Sequence, residues 1–403
     1  MNFNTIDKLD VAGRRVFVRV DFNVPIKDGE VTEPTRIEAA LPTLLALRER
    51  GARLIVASHL GRPKGKRDEK YSLEPVGVLL SELLEQEVIF ACDPVGDGPR
   101  KLAQDLRDGQ LLLLENLRFD PGEEKNDEAF ARSLAQLADV YVNDAFGAAH
   151  RKHASVYGMV GQFESKAAGL LMQKELTALQ HFLEAKEKPI VAILGGAKVA
   201  DKIPVIDHLL PKVTHVLIGG AMAYTFLAKQ GVDVGASLIE EESFDAVARI
   251  IDKARLLGVQ LLLPEDHAVA RELSPEAKVR VVANGQFAAD EKGFDIGPRT
   301  RDLFAEVIAR AKNIFWNGPL GVFEVAPFAA GTLAVARRVA ESSAFSVVGG
   351  GDSIAAVNQA GVAHRLSHVS TGGGASLEFL SGLSLPGVEA LSGATARSVD
   401  QLI

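Results

Sequence analysis

The chain of 403 residues carries 45 Lys and Arg against 53 Asp and Glu, for a net charge of -8, and 47% of it is hydrophobic. This composition excludes a disordered chain and, at about 100–200 residues per domain, predicts two or three domains that each bury a core. Cutting at residue 170 leaves -4 on either side, so neither part is a basic lobe that would grip nucleic acid by bulk charge.

No apolar run approaches the ~18 residues of a membrane span, and the first ten residues lack the apolar core of an export signal. A soluble, cytoplasmic protein without nucleic-acid or membrane partners is expected. The single cysteine, Cys92, excludes internal disulfides and cysteine-rich metal sites.

Short runs of Val, Ile and Leu recur along the chain, separated by stretches of helical period, the pattern of βα units in buried parallel sheets. In the first part the runs are 16–20, 54–57, 111–114 and 140–142, with helices predicted over 36–50 and 127–138. Residues 170–188 have helical period without a strand run and precede Pro189, which predicts a connecting helix. In the second part the runs are 190–194, 215–218, 260–263, 314–316, 345–348 and 368–370. Two doubly wound sheets are therefore predicted, one domain over 1–170 and another over 189–389, joined by a linker helix at 171–188.

In parallel α/β sheets ligands sit beyond the carboxyl ends of the strands, and the residues found there differ between the two series. The first series runs into Asp21 and Asn23, then His59 and Arg62, then Arg118, then Asn143 and Asp144; Arg36 opens the first helix and Arg151 follows the fourth run. Planar guanidinium groups suit bidentate capture of phosphate and carboxylate, so Arg36, Arg62, Arg118 and Arg151 with His59 predict a site for a multiply charged small anion. A lone surface arginine is an ordinary solvated charge; four at successive strand ends are harder to assign so. His150 and His153, with Arg151 and Lys152 between them, lack an acidic or thiolate companion and read as anion-loop or packing residues rather than a metal pair.

The second series runs into glycine: Gly195 and Gly196, Gly219 and Gly220, Gly318, then 349–351 and 372–374. Glycine lets backbone N–H groups approach phosphate closely, although tight βα turns use it for geometry alone. Neither GxxxxGK[ST] nor GxGxxG after a first strand is present, which disfavours a nicotinamide-dependent dehydrogenase. Lys198 is expected at the start of a helix with Lys202 one turn on along the same face. Asp352, after three glycines, reads equally as a Mg²⁺ ligand or as a helix N-cap. Glu324 is open between a surface carboxylate and a ribose contact.

Eight blocks, RVDFNVP (19–25), SHLGRP (58–63), ENLRF (115–119), AHRKHAS (149–155), LGGAKVADKI (194–203), WNGPLGVFE (316–324), GGGDS (349–353) and STGGGASLE (370–378), make the chain resemble the phosphoglycerate kinase family from end to end. The resemblance implies a monomeric two-domain kinase of glycolysis with a hinged cleft, exchanging phosphate between 1,3-bisphosphoglycerate and ADP with Mg²⁺. It maps the acid-substrate site onto Asp21, Asn23, Arg36, His59, Arg62, Arg118 and Arg151. The nucleotide site maps onto Gly195, Gly196, Lys198, Lys202, Gly219, Gly220, Asn317, Gly318, Glu324, Gly350, Gly351, Asp352 and Ser353, with Asp352 on the metal and Arg36 and Lys198 as catalytic groups. Hinges are expected near the connecting helix and the 370–374 turn. Two features depart from the family pattern: Ala221 stands where a third glycine is usual, and the tail 392–403 matches no block, although the family's tail packs back on the first domain.

Overall fold

The computed structural model describes residues 3–392. The chain forms two compact units, the first running to Leu176 and resuming at Ser384, the second spanning Thr177–Leu383.

The first unit is built on six parallel strands: β1 (Arg15–Arg19), β2 (Arg53–Ala57), β3 (Val88–Ala91), β4 (Leu111–Leu114), β5 (Val140–Asn143) and β6 (Lys166–Ala168). Their order is β3-β4-β2-β1-β5-β6. β1 lies between β2 and β5, with Arg19 level with Ala57 and Asn143, so the residues following these strands emerge at one edge. The near-continuous apolar runs are what burial on both faces of a parallel sheet requires. The helix Thr35–Glu49 covers one face through Ile37, Ala40, Leu44 and Leu47, a stripe at helical spacing. After Ser384 the chain belongs to this unit: Gly387 N–H donates to the Ala149 carbonyl at 2.8 Å, and Leu391 is buried. The tail beyond residue 392 lies outside the described residues.

The helix predicted over 170–188 is observed over Leu170–Leu183. It stops where Glu184, Lys186, Glu187 and Lys188 offer no apolar stripe, and the boundary between the units falls within it.

The second unit holds a parallel sheet of β7 (Ile190–Leu194), β8 (His215–Ile218) and β9 (Gln260–Leu262), then, after an inserted antiparallel sheet of β10 (Asp266–Ala270), β11 (Arg280–Ala283) and β12 (Lys292–Ile296), of β13 (Asn313–Asn317), β14 (Phe345–Gly349) and β15 (His368–Val369). The parallel order is β9-β8-β7-β13-β14-β15. Strand order therefore reverses between β7 and β13, the switch point at which open α/β sheets form a ligand crevice. Val191, Ile193, Trp316 and Val348 are wholly buried in the core around it. Both larger sheets are parallel throughout. Among the described residues no helix is long and apolar enough to cross a membrane.

Candidate active site

Each unit presents one polar site beyond its strand ends. In the first unit, the turn after β1 brings Asp21 to Arg36, whose Nη1 donates to both carboxylate oxygens at 3.2 and 3.3 Å and to the Asn23 carbonyl at 3.3 Å. Asn23 Oδ1 accepts from Gly61 N–H at 2.8 Å, which fixes the backbone beside exposed Arg62. Asn116 ties the loops after β2 and β4 together: its Oδ1 accepts from the N–H groups of Leu60 and Arg118, and its Nδ2 donates to the Leu60 carbonyl.

Arg118 is buried within this frame. Its Nη1 donates to the Gly61 carbonyl at 2.6 Å, its Nε lies 3.3 Å from the Glu124 carboxylate, and its Nη2 is enclosed with no hydrogen-bond partner. Burial pushes its pKa down to about 10, with neighbouring Arg151 and Arg19 adding to the shift against Glu124. His59 is held well below its ordinary value, first by burial and then by Arg19, Arg118 and Arg151. The same causes bring His153 down to about 3. A buried unpaired donor among mutually repelling cations is relieved by an anion, because the anion supplies both the missing acceptor and the missing charge. Asp21, Asn23, Arg36, His59, Arg62, Arg118 and Arg151 thus share one strand-end edge.

Sequence reasoning did not assign roles to Arg19, Glu123 and Ser155, which lie wholly buried beneath this site. A charge inside the apolar run of β1 was the available signal for Arg19.

In the second unit a cavity of about 500 Å³ opens at the β7/β13 switch point. Its floor is backbone on backbone: Gly195 N–H donates to the Asn317 carbonyl at 3.0 Å and Gly196 N–H to the Pro319 carbonyl at 2.8 Å. A methyl at Gly195 would collide with the Pro319 carbonyl, and one at Gly318 with the Gly195 carbonyl. Gly196 and Gly351, by contrast, have open space where a Cβ would stand. Of the residues expected at the nucleotide, Gly195, Gly196, Lys198, Lys202, Asn317, Gly318, Gly350, Gly351, Asp352 and Ser353 line the cavity, joined by Gly373, Gly374 and Leu377. Gly219, Gly220 and Glu324 are not among its lining residues; Gly220 supports the floor from behind, its N–H donating to the Leu320 carbonyl at 3.0 Å. The helices Gly351–Gln359 and Gly373–Leu380 both start at the cavity, and helix N-termini favour anions.

One expectation is corrected. Lys198 does not open a helix: it is exposed in irregular backbone after β7, and the helix begins at Ile203. Glu240 draws the N–H groups of Val199 and Ala200 to its carboxylate at 3.2 and 3.1 Å, and Pro204, suited to a first helical turn, marks the start. Lys198 and Lys202 reach the same cavity through this turn rather than along one helical face. Lys202 Nζ donates to Asn317 Oδ1, whose Nδ2 donates to the Gly349 carbonyl at 2.7 Å. Burial brings Lys202 down to about 8, against the pull of Asp201 and Asp352.

Asp352 does not cap its helix: the N-cap is Gly350, with no side-chain cap bond. Exposed at the cavity wall, it makes no hydrogen bond or ion pair among the described residues. Those residues include no cluster of three or more His, Cys, Asp or Glu suited to a metal. One carboxylate on the wall of a cavity floored by backbone amides is a donor set that fits Mg²⁺, which is commonly held by one or two carboxylates plus substrate phosphates.

Residues 6–383 match the family model described as phosphoglycerate kinase. The chain is 57% identical to the phosphoglycerate kinase of Anaeromyxobacter dehalogenans over 97% of its own length and 99% of the relative's. It is 55% identical to that of Acidobacterium capsulatum over 96% and 98%. The solved phosphoglycerate kinase of Coxiella burnetii matches with a TM-score of 0.87 at 42% identity, covering 97% of this chain and 99% of that one.

The chain belongs to the phosphoglycerate kinase family. It is accordingly a kinase, a phosphotransferase of glycolysis that acts on nucleotides and small molecules. Ala221, where this family usually has a third glycine, has helical dihedrals, φ -62° and ψ -29°, so its methyl group introduces no backbone strain.

Proposed function

We propose that this chain transfers phosphate reversibly between 1,3-bisphosphoglycerate and ADP, yielding 3-phosphoglycerate and ATP. What carries this reading is one chain holding two unlike anion sites: a guanidinium cluster with an unpaired buried Arg118 Nη2, and a glycine-floored cavity with two lysines and a free carboxylate.

His59, Arg62, Arg118 and Arg151 anchor the substrate phosphate remote from the reacting carboxyl, with Asp21 and Asn23 setting the pose. Arg36 neutralises the carboxylate and the transferred group. Lys198 takes the charge on the moving phosphoryl group, while Lys202, Asn317, Ser353 and the backbone of Gly195, Gly196, Gly318, Gly350 and Gly351 hold the nucleotide phosphates. Gly219, Gly220 and Glu324 serve its nucleoside end. Asp352 would hold Mg²⁺, which supplies charge neutralisation on the phosphate oxygens.

In the ATP-consuming direction the acceptor is a carboxylate, with a pKa near ~3.5, and is already ionised at neutral pH. Its oxygen forms the new bond to phosphorus as the bond to the bridging oxygen breaks, and the electron pair leaves on the β-phosphate of ADP. No proton moves, so no general base is needed, and catalysis reduces to in-line positioning and charge stabilisation.

The chain acts as a monomer in the cytoplasm, where the free, exposed Cys92 would stay reduced; sedimentation at micromolar concentration tests the monomer. The deciding experiment couples ATP-dependent phosphorylation of 3-phosphoglycerate to oxidation of a nicotinamide by an auxiliary dehydrogenase. Turnover requiring all of Mg²⁺, ATP and 3-phosphoglycerate is expected. Folded protein that binds Mg-ADP but gives no turnover would make it a nucleotide-binding regulator instead.

A further inference from the structure

Beneath the anion site β1 ends in a guanidinium that solvent does not reach, Arg19 at 0% exposure. Its Nε donates to Ser155 Oγ at 2.8 Å, its Nη1 to the Val20 carbonyl, and its Nη2 lies 3.2 Å from His59 Nδ1. The Ser155 hydroxyl donates to Glu123 Oε1 at 2.6 Å, and the Ser155 N–H to Oε2 at 2.9 Å. Glu123 Oε1 is also 3.8 Å from Arg19 Nη2. A guanidinium has five donors and no acceptor, so its contact with His59 has one polarity: Nδ1 offers the lone pair and the ring proton sits on Nε2.

We propose that Arg19, braced by Ser155 and Glu123, is a positioning residue that holds His59 as the neutral Nε2–H tautomer. The competing group is Asp21, whose Oδ1 is 3.9 Å from Nδ1, too far for a hydrogen bond. The other groups acting on the ring are Arg118, Arg151 and His153, and with Arg19 and burial all of them oppose the imidazolium. Nε2 meets no hydrogen-bond acceptor among the described residues, so its N–H remains a directed donor for an incoming oxyanion, supplied without crowding another full charge among the arginines. The donor's use rests on the anchor role given to His59 above; the tautomer itself does not.

The test is nitrogen-15 NMR of the ligand-free full-length protein, with His59 assigned among the nine histidines by difference against His59→Gln. At neutral pH the expected signature is a protonated Nε2 and an unprotonated Nδ1, with no imidazolium appearing as pH falls through the ordinary histidine range. Arg19→Gln should shift the ring toward Nδ1–H and raise the KM for 3-phosphoglycerate about tenfold while kcat changes far less. Arg19→Lys, which keeps a cationic donor, should restore the tautomer and most of the KM. Should Arg19→Gln fail to fold, Ser155→Ala removes the brace alone and should produce the same change in smaller measure. An imidazolium or Nδ1–H ring in the unsubstituted protein overturns the proposal, as does an unchanged tautomer in folded Arg19→Gln or, in its place, Ser155→Ala. Because the tautomer is read without substrate, absence of phosphoglycerate turnover would refute the proposed function and leave this result standing.

Discussion

Arg118→Met separates function from stability in the first unit. The arginine's pKa falls from 12.5 to about 10, which at about 1.36 kcal/mol per unit sets an upper bound of about 3 kcal/mol for the cost of holding this charge in the folded state. The folded value lies below the unfolded one, so the cost is complete at neutral pH and fades only as pH rises from about 10 toward 12.5. Methionine fills similar volume without charge, but gives up the bond to the Gly61 carbonyl at 2.6 Å and the contact with Glu124, together about 2 kcal/mol. The net expectation is a ligand-free protein whose stability rises by at most about 1 kcal/mol, whereas affinity for 3-phosphoglycerate, deprived of a charge-assisted bond, falls about 30-fold or more. Urea unfolding, followed by a probe confined to this unit, and calorimetric titration measure the two quantities. Loss of more than about 2 kcal/mol of stability with unchanged affinity would show that Arg118 is structural and that its unpaired Nη2 awaits nothing.

Three further outcomes follow from the same geometry. Lys202, at about 8 in the free protein, loses its charge as pH rises through that value, so Mg-ADP affinity should weaken up to about tenfold between about pH 7 and 9; Lys202→Met should bind weakly and show no such bend. Asp352→Asn should raise the Mg²⁺ concentration for half-maximal rate about tenfold while unfolding shifts by less than about 1 kcal/mol, because the exposed carboxylate loses no hydrogen bond, only its attraction to Lys202 and to the start of its helix. His59 and His153 resist protonation when folded but titrate near 6.5 when unfolded, so together they cost the first unit about 2 kcal/mol between about pH 6.5 and 5.5; buried Asp144, raised to about 6, takes up a proton when folded and offsets part of it, so the net loss should be smaller and His153→Gln should remove about 1 kcal/mol of it.

The parallel strands were legible because burial on both faces demands unbroken apolar runs, and 111–114, 190–194 and 215–218 coincide with the observed elements. Two strands of the first sheet escaped notice. Val88–Ala91 is an edge strand, mostly half-buried and preceded by Glu85, Gln86 and Glu87. Lys166–Ala168 is three residues long and rich in alanine. The inserted antiparallel sheet was hidden for a related reason: β11 and β12 are partly exposed and carry Arg280, Lys292 and Asp295. At the sites, residues projecting from strand ends could be read from position alone. Arg19 could not, because its importance lies in partners 40 to 136 residues away. Lys198 was misplaced because the pull of Glu240 on the intervening backbone leaves no trace in local periodicity.

The glycine floor of the second cavity also constrains how this protein can change. Gly195 and Gly318 block one another's side chains, and Gly220 is wedged against Gly196, so any single replacement there must displace main chain that several turns share. Natural variation in ligand preference is therefore channelled to the rim, where Gly351 and the side chains of Lys198 and Leu377 border open space, and a lineage retuning this enzyme would leave the floor untouched while rewriting its edge.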